Sequence, residues 1–304
     1  MRIIPATLVS LAFACASTLT YAANPGFQKT FTASGQTALD VCNNSGQIHV
    51  TGVDGNKIQI SADIHKSSWH GGGNSGDMKK IAATPPVQQT GNTIRVGDST
   101  TCGSSGMHGI DIDYEISVPK TTNVSVNSGA GNIHVESIGG FVHANTGSGD
   151  IAVNSVGPDS RLVTGAGNLD IQGAHGMLLV KTGSGNVNVR DSNVSDSQLR
   201  VGSGTITVAN LKGGVRASTG DGAMTMTGTP TSDWEMRTGN GAISFQAVGN
   251  AKFELDAETG SGTIDSSLPS PLGGHITDGV LRGPVRGGGP VVKMYTGNGN
   301  ITLQ

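Results

Sequence analysis

From Val142 onward, apolar and polar residues alternate in short runs broken by glycine. Val142 and Ala144, Leu178 and Val180, Val215 and Ala217, Trp234 and Met236, Leu255 and Ala257, and Val292 and Met294 stand four and two residues before a recurring threonine. Charged or polar side chains such as His143, Lys181, Arg216, Arg237, Glu258 and Lys293 alternate with them. After a Gly-x-Gly corner the same parity resumes in Ile133/Val135, Ile151/Val153, Leu169/Ile171, Val187/Val189, Ile206/Val208, Met224/Met226, Ile243/Phe245 and Ile301/Leu303. A period of two predicts strands with one face buried and one wet. Each unit is therefore expected to be two short strands meeting at a glycine corner, where positive φ is available.

The units repeat every 18 to 19 residues: Thr146-Gly-Ser-Gly-Asp-Ile returns as Thr164-Gly-Ala-Gly-Asn-Leu and Thr182-Gly-Ser-Gly-Asn-Val. Further copies begin at Ser128, Val201, Thr219, Thr238, Thr259 and Thr296, and the last gap leaves room for one degenerate copy around Asp278-Gly279-Val280-Leu281. One two-stranded unit cannot bury its apolar face, but stacked units make a continuous narrow core. The expected fold is all-β: a β-solenoid of either hand, its coils about 4.8 Å apart. A flat sandwich of hairpins also alternates, but gives no reason for identical residue types at a fixed period.

Residues 24–120 follow the same idiom less regularly, with Gly46-Gln-Ile-His-Val-Thr-Gly52 copying the motif and Ile58–Ile60, Thr93–Val96 and Ile110–Pro119 reading as strands. His65 to Lys79 and Gly97 to Gly109 read as surface loops. Exposed strand edges invite aggregation, so an irregular N-terminal cap over 24–120 is expected before the regular repeats of 121–304.

Composition sharpens this picture. Glycine makes up 48 of 304 residues, and charged residues only 13 %; glycine costs up to about 1 kcal/mol per helical position, which disfavours helices. A net charge of −3 gives no overall pull toward nucleic acid or anionic membrane. Residues 1–23 read as a secretory signal, with Arg2, an apolar run from Ile3 to Ala16 and small residues at Thr20-Tyr-Ala-Ala23,. The run is too short to span a bilayer, and no later segment suffices. Cys15 lies inside that run, in a context unlike a lipoprotein signature,. The expected protein is exported to the periplasm, cell surface or medium. There Cys42 and Cys102 would form a disulfide, closing a loop for about 4 kcal/mol of stabilisation. The alternative of a thiolate nucleophile lacks a histidine in catalytic context.

Asp111-Ile-Asp-Tyr-Glu-Ile-Ser-Val-Pro119, then Ser128-Gly-Ala-Gly-Asn-Ile133 and the Thr-Gly-Ser-Gly-Asp/Asn-Ile units, resembles the bacterial candidate-adhesin family of β-strand repeats. The resemblance spans roughly residues 38–304. It implies an exported or envelope-associated protein of unknown biochemical role, and brings no catalytic residues.

Gly71-Gly-Gly-Asn-Ser-Gly76 satisfies a dinucleotide-binding pattern but lacks its strand and helix. Thr146 to Asp150 is similar to calcium-binding nonapeptide repeats, yet other copies carry Asn, Ala or Thr where Asp150 stands, which argues against a calcium ladder. His65, His70 and His108 lie in the two polar loops near Trp69, where a weak metal site is conceivable, but they read first as solvated loop histidines. His134, His143 and His175 occupy surface repeat positions. Asp150 and Asp170, or Asp256 and Glu258, offer paired carboxylates without a sign of a cleft. No cofactor is expected. Arg161, Lys181, Arg200, Arg216 and Arg237 place a cation on the outer face of the strand before the corner in five successive coils. Such a stripe would attract an acidic glycan or similar envelope polymer, or would simply keep a sheet face solvated. The sequence thus points to a non-catalytic adhesin-like binding or structural module of the envelope, with an envelope polysaccharide or surface protein as partner. A polysaccharide-active β-helix enzyme and a self-assembling scaffold are the alternatives.

Overall fold

The structure, a computed structural model, describes residues 24–67, 74–97, 109–269 and 272–304. The signal segment and the Gly71–Gly76 motif up to residue 73 lie outside them. Among the described residues, twenty-four strands are linked by hydrogen bonds into one continuous wound sheet. Coils stack in parallel and in register: Val142–Ser148 pairs with Asn123–Ala130 on one side and Ser160–Ala166 on the other, Thr146 standing opposite Ser128 and Thr164. Every apolar pair named in the repeat is buried, none more than 2 % exposed. The β-solenoid expectation holds, and equivalent side chains do pile over one another.

Three columns explain the repeat's consensus. The threonines are buried, and their hydroxyls donate to the carbonyl of the second corner glycine one coil away: Thr164 to Gly149 and Thr182 to Gly167, both at 3.0 Å. The Asp/Asn after the corner accepts from the backbone N–H of its counterpart in the next coil. Asn132 accepts from Asp150, Asp150 from Asn168, and Asn168 from Asn186, at 2.7–2.9 Å. The Asp150 carboxylate thus belongs to a hydrogen-bond ladder that Asn serves as well. At the corner itself the backbones nearly touch. Gly185 has φ +136°, and a Cβ there would lie 2.1 Å from the Gly167 carbonyl oxygen, so no larger residue fits.

The coils do not stack in the order of the chain. Ala38–Ser45 and Ile48–Val53 pair directly with Asn123–Ala130 and Ile133–Ile138. The intervening Thr93–Val96 and Ile110–Pro119 lie on their opposite side. The stack runs unbroken across residue 120. A second exchange occurs near the C-terminal end, where Val291–Asn298 pairs in parallel with both Met224–Asn240 and Phe253–Ser261. Two hydroxyl bonds fix this order: Thr296 donates to Gly241, and Thr259 to Gly299, each at 2.8 Å. The degenerate copy expected around Asp278 to Leu281 is therefore incorrect. The extra period is instead an antiparallel excursion, in which Gly274–Ile276 lies against Ile264–Ser266 and Val280–Val285 caps Phe253–Ser261.

Antiparallel strands close both ends. Lys57–Lys66 lies against Ile110–Pro119 and carries Gly26–Thr32 on its far edge. Lys29 on one edge strand, and Arg282 and Pro284 on the other, blunt further pairing, since a charge or a missing N–H disfavours strand addition. The loop expected from His65 to Lys79 is corrected in its second part, where Ser75–Ala83 is a helix. Asn74 caps it by accepting from the Gly76 N–H at 2.9 Å, Asp77 sits in its first turn, and Met78 is buried,. These local signals outweigh the glycine.

Candidate binding faces

The strand before each corner presents its odd-parity residues to solvent, and the register assigns the five cations to two rows. Lys181 faces Arg200 directly, and the row continues through Ser218 and Arg237. Arg161 and Arg216 lie in the row two residues earlier, separated by Leu179 and Gln198. The five therefore share a face but zigzag across it, because Arg161 and Arg216 stand three residues before the corner threonine position and Lys181, Arg200 and Arg237 one residue before it. Arg216 is engaged by Asp196 at 2.9 Å, and Arg237 by Glu235 of its own strand. Arg161, Lys181 and Arg200, in three successive coils, have no ion-pair partner among the described residues. Beside Arg161 a surface groove of about 350 Å³ is lined by Ser125, Asn127, His143 and Asn145, and the His143 ring stacks on Phe141 at 4.5 Å.

Carboxylate pairs are occupied structurally. Arg282 of the capping strand binds Asp256 at 2.6 Å and Glu258 at 3.3 Å, with Lys293 at 3.7 Å from Asp256. Asp170 is held by Arg190 at 2.9 Å. Of the histidines expected in the polar loops, His65 lies 3.7 Å from Asp113, whereas His70 and His108 fall outside the described residues, as does Cys102. Cys42 is buried on its strand. Among the described residues no helix is long and apolar enough to cross a membrane.

A second polar cluster stands on another face of the solenoid. On the strands after the corner, the layer exchange sets His49 opposite His134 on one side and Glu115 on the other, with Thr51 opposite Glu136. The imidazoles meet edge to face, 4.7 Å between centroids. His49 Nε2 lies 3.6 Å from Glu136, His134 Nε2 lies 3.7 Å from the same carboxylate, and His49 Nδ1 lies 3.1 Å from Glu115. The signal was present in the sequence, since His49 and His134 both stand three residues after a corner glycine. It reads as a contact only once residues 85 apart are known to be in neighbouring coils.

No curated protein matches the chain. Solved structures similar to it include a candidate adhesin from Bacteroides fragilis NCTC 9343, at 14 % identity over 92 % of this chain and 97 % of that one with a TM-score of 0.42. A candidate adhesin from Parabacteroides distasonis ATCC 8503 shares 11 % identity over 92 % and 98 % of the two chains, TM-score 0.33. A candidate cell adhesion protein from Clostridium sporogenes ATCC 15579 shares 11 % over 91 % and 98 %, TM-score 0.23. The Toastrack DUF4097 family matches over residues 54–304, from the N-terminal antiparallel cap through the last strand of the stack, and the chain belongs to that family.

Proposed function

We propose that this protein is an exported, non-catalytic adhesin-like module of the cell envelope whose solenoid face binds an acidic glycan or similar polyanion. The carrying observation is the run of Arg161, Lys181 and Arg200 on three adjacent coils without carboxylate partners, next to a groove lined by hydrogen-bonding side chains. Strand spacing of about 4.8 Å places the directly facing Lys181 and Arg200 well within a Debye length of about 8 Å at physiological salt, with Arg161 one coil on and two residues along,. Their mutual repulsion is relieved by a polymer bearing regularly spaced negative charge. The ion-paired carboxylates speak against glycan hydrolysis, and the blunted end strands against end-to-end assembly. In the oxidising compartment this reading assigns, Cys42 and Cys102 are joined, which intact mass before and after reduction would show.

The test is binding of the mature protein to acidic and neutral envelope polysaccharides at low and high salt. The acidic polymer should bind preferentially and weaken steeply with salt, and Lys181→Glu with Arg200→Glu should lower affinity at least tenfold. Binding that ignores salt, or survives that double reversal, refutes the proposal.

A further inference from the structure

We infer that His49, His134 and Glu136 form a site for a divalent first-row transition metal of the zinc class, clamping the two coils that the layer exchange brings together. One ligand atom from each residue lies within 4.8 Å of the other two. In a tetrahedral site with metal–ligand bonds of 2.0–2.2 Å, ligand atoms lie about 3.4 Å apart. Glu136 Oε1 lies 3.6 Å from His49 and its Oε2 3.7 Å from His134, a few tenths of an ångström beyond that spacing, and the widest separation in the trio, within 4.8 Å, closes by rotation of the partly exposed side chains. Both imidazoles direct Nε2 at that carboxylate.

The surroundings fit the same chemistry. Glu115 engages His49 at Nδ1 from the opposite coil, the arrangement by which a carboxylate fixes a ligating imidazole's tautomer and raises its basicity. The Thr51 hydroxyl donates to Glu136 Oε1 at 3.2 Å, which orients the carboxylate in turn. Three protein ligands leave a fourth position open. A groove of about 490 Å³ adjoins it, lined in part by His49, His134, Asp63 and Asp113. Two imidazoles select zinc, nickel, copper or cobalt over calcium and magnesium, which prefer oxygen donors throughout. The site lies after the corner and the cation rows before it, so this inference is independent of glycan binding.

The metal would cross-link residue 49 to residues 134–136, joining strands that only the exchanged order makes neighbours. All three ligands are half-buried outer-face residues, so their replacement leaves the core intact. The experiment is calorimetric titration of untagged, chelator-treated protein with Zn²⁺ and, separately, Ca²⁺, alongside melting curves with and without metal. One Zn²⁺ per chain at micromolar or tighter affinity, a raised melting temperature and no comparable Ca²⁺ binding are expected. His134→Ala and Glu136→Gln should each weaken Zn²⁺ at least tenfold and erase the melting shift, while replacing the exposed His175, His175→Ala, should leave both unchanged. No Zn²⁺ binding by the unmodified protein at 100 µM, about a hundredfold above the micromolar range, overturns the inference. So does equal binding by unmodified protein and the folded His134→Ala or Glu136→Gln variant. Should one variant fail to fold, the other decides.

Discussion

Replacing Gly185 with alanine tests whether the corner glycines are required by contact between coils as well as by turn geometry. The added Cβ would sit 2.1 Å from the Gly167 carbonyl oxygen and 2.6 Å from its carbon, both backbone atoms. Relief needs a shift of about 1 Å, since non-bonded carbon and oxygen do not approach much below 3 Å. The corner is held by Gly167 N–H to Ser184 at 2.9 Å and Gly185 N–H to Ser203 at 3.0 Å. Losing two such bonds costs about 2 kcal/mol, and forcing alanine to φ +136° adds about 1–3 kcal/mol. The sum is about 3–5 kcal/mol. Gly91→Ala is the control, because Gly91 also has positive φ, +59°, but nothing lies within 4 Å of its Cβ position; its cost is about 1 kcal/mol. Urea unfolding followed by circular dichroism and by fluorescence of the buried Trp234 measures both. If Gly185→Ala is no more destabilising than Gly91→Ala, close coil packing is not what selects glycine.

Thr182→Ala should cost about 1–3 kcal/mol, because it removes a buried donor from the Gly167 carbonyl. Ser128→Ala, at the equivalent position, should be nearly neutral, since the Ser128 hydroxyl is buried with no hydrogen-bond partner among the described residues; unfolding midpoints that move equally would refute the distinction. Burial raises the Tyr114 phenol above its ordinary value of 10.0. The folded state therefore holds the proton while the unfolded state releases it: stability is intact below about pH 10 and falls by up to about 1.4 kcal/mol per unit above. Tyr114→Phe should remove that component, and identical alkaline unfolding of the two proteins would show the phenol does not contribute.

How much the sequence reveals depends on whether a signal is local. Strand parity, corner glycines and the buried threonines are all visible within one unit, and each falls where the alternation puts it. The calcium-like Thr-Gly-Ser-Gly-Asp is visible too, but its meaning is set between coils: Asp150 accepts from the Asn168 backbone, a role any side-chain carbonyl can fill. Position before the corner predicts one cation stripe, yet register divides it into rows through Lys181 and through Arg161. The His49–His134 contact and the place of Thr296 were hidden for one reason. Periodicity gives the height of a coil but not its rank, and the chain twice departs from sequential stacking. Those departures place antiparallel strands at the ends, so the same feature that obscured the site also terminates the fold.

Residues 291–303 occupy a slot whose two walls, 234–247 and 253–266, are both made earlier in the chain. Growth by adding one rung after another must pause there. Residues 253–266 cannot reach their final partners until a later segment threads between, so this part of the rod is completed late and all at once. The last-laid strand thus serves as the keystone, hydrogen-bonded to both walls at once.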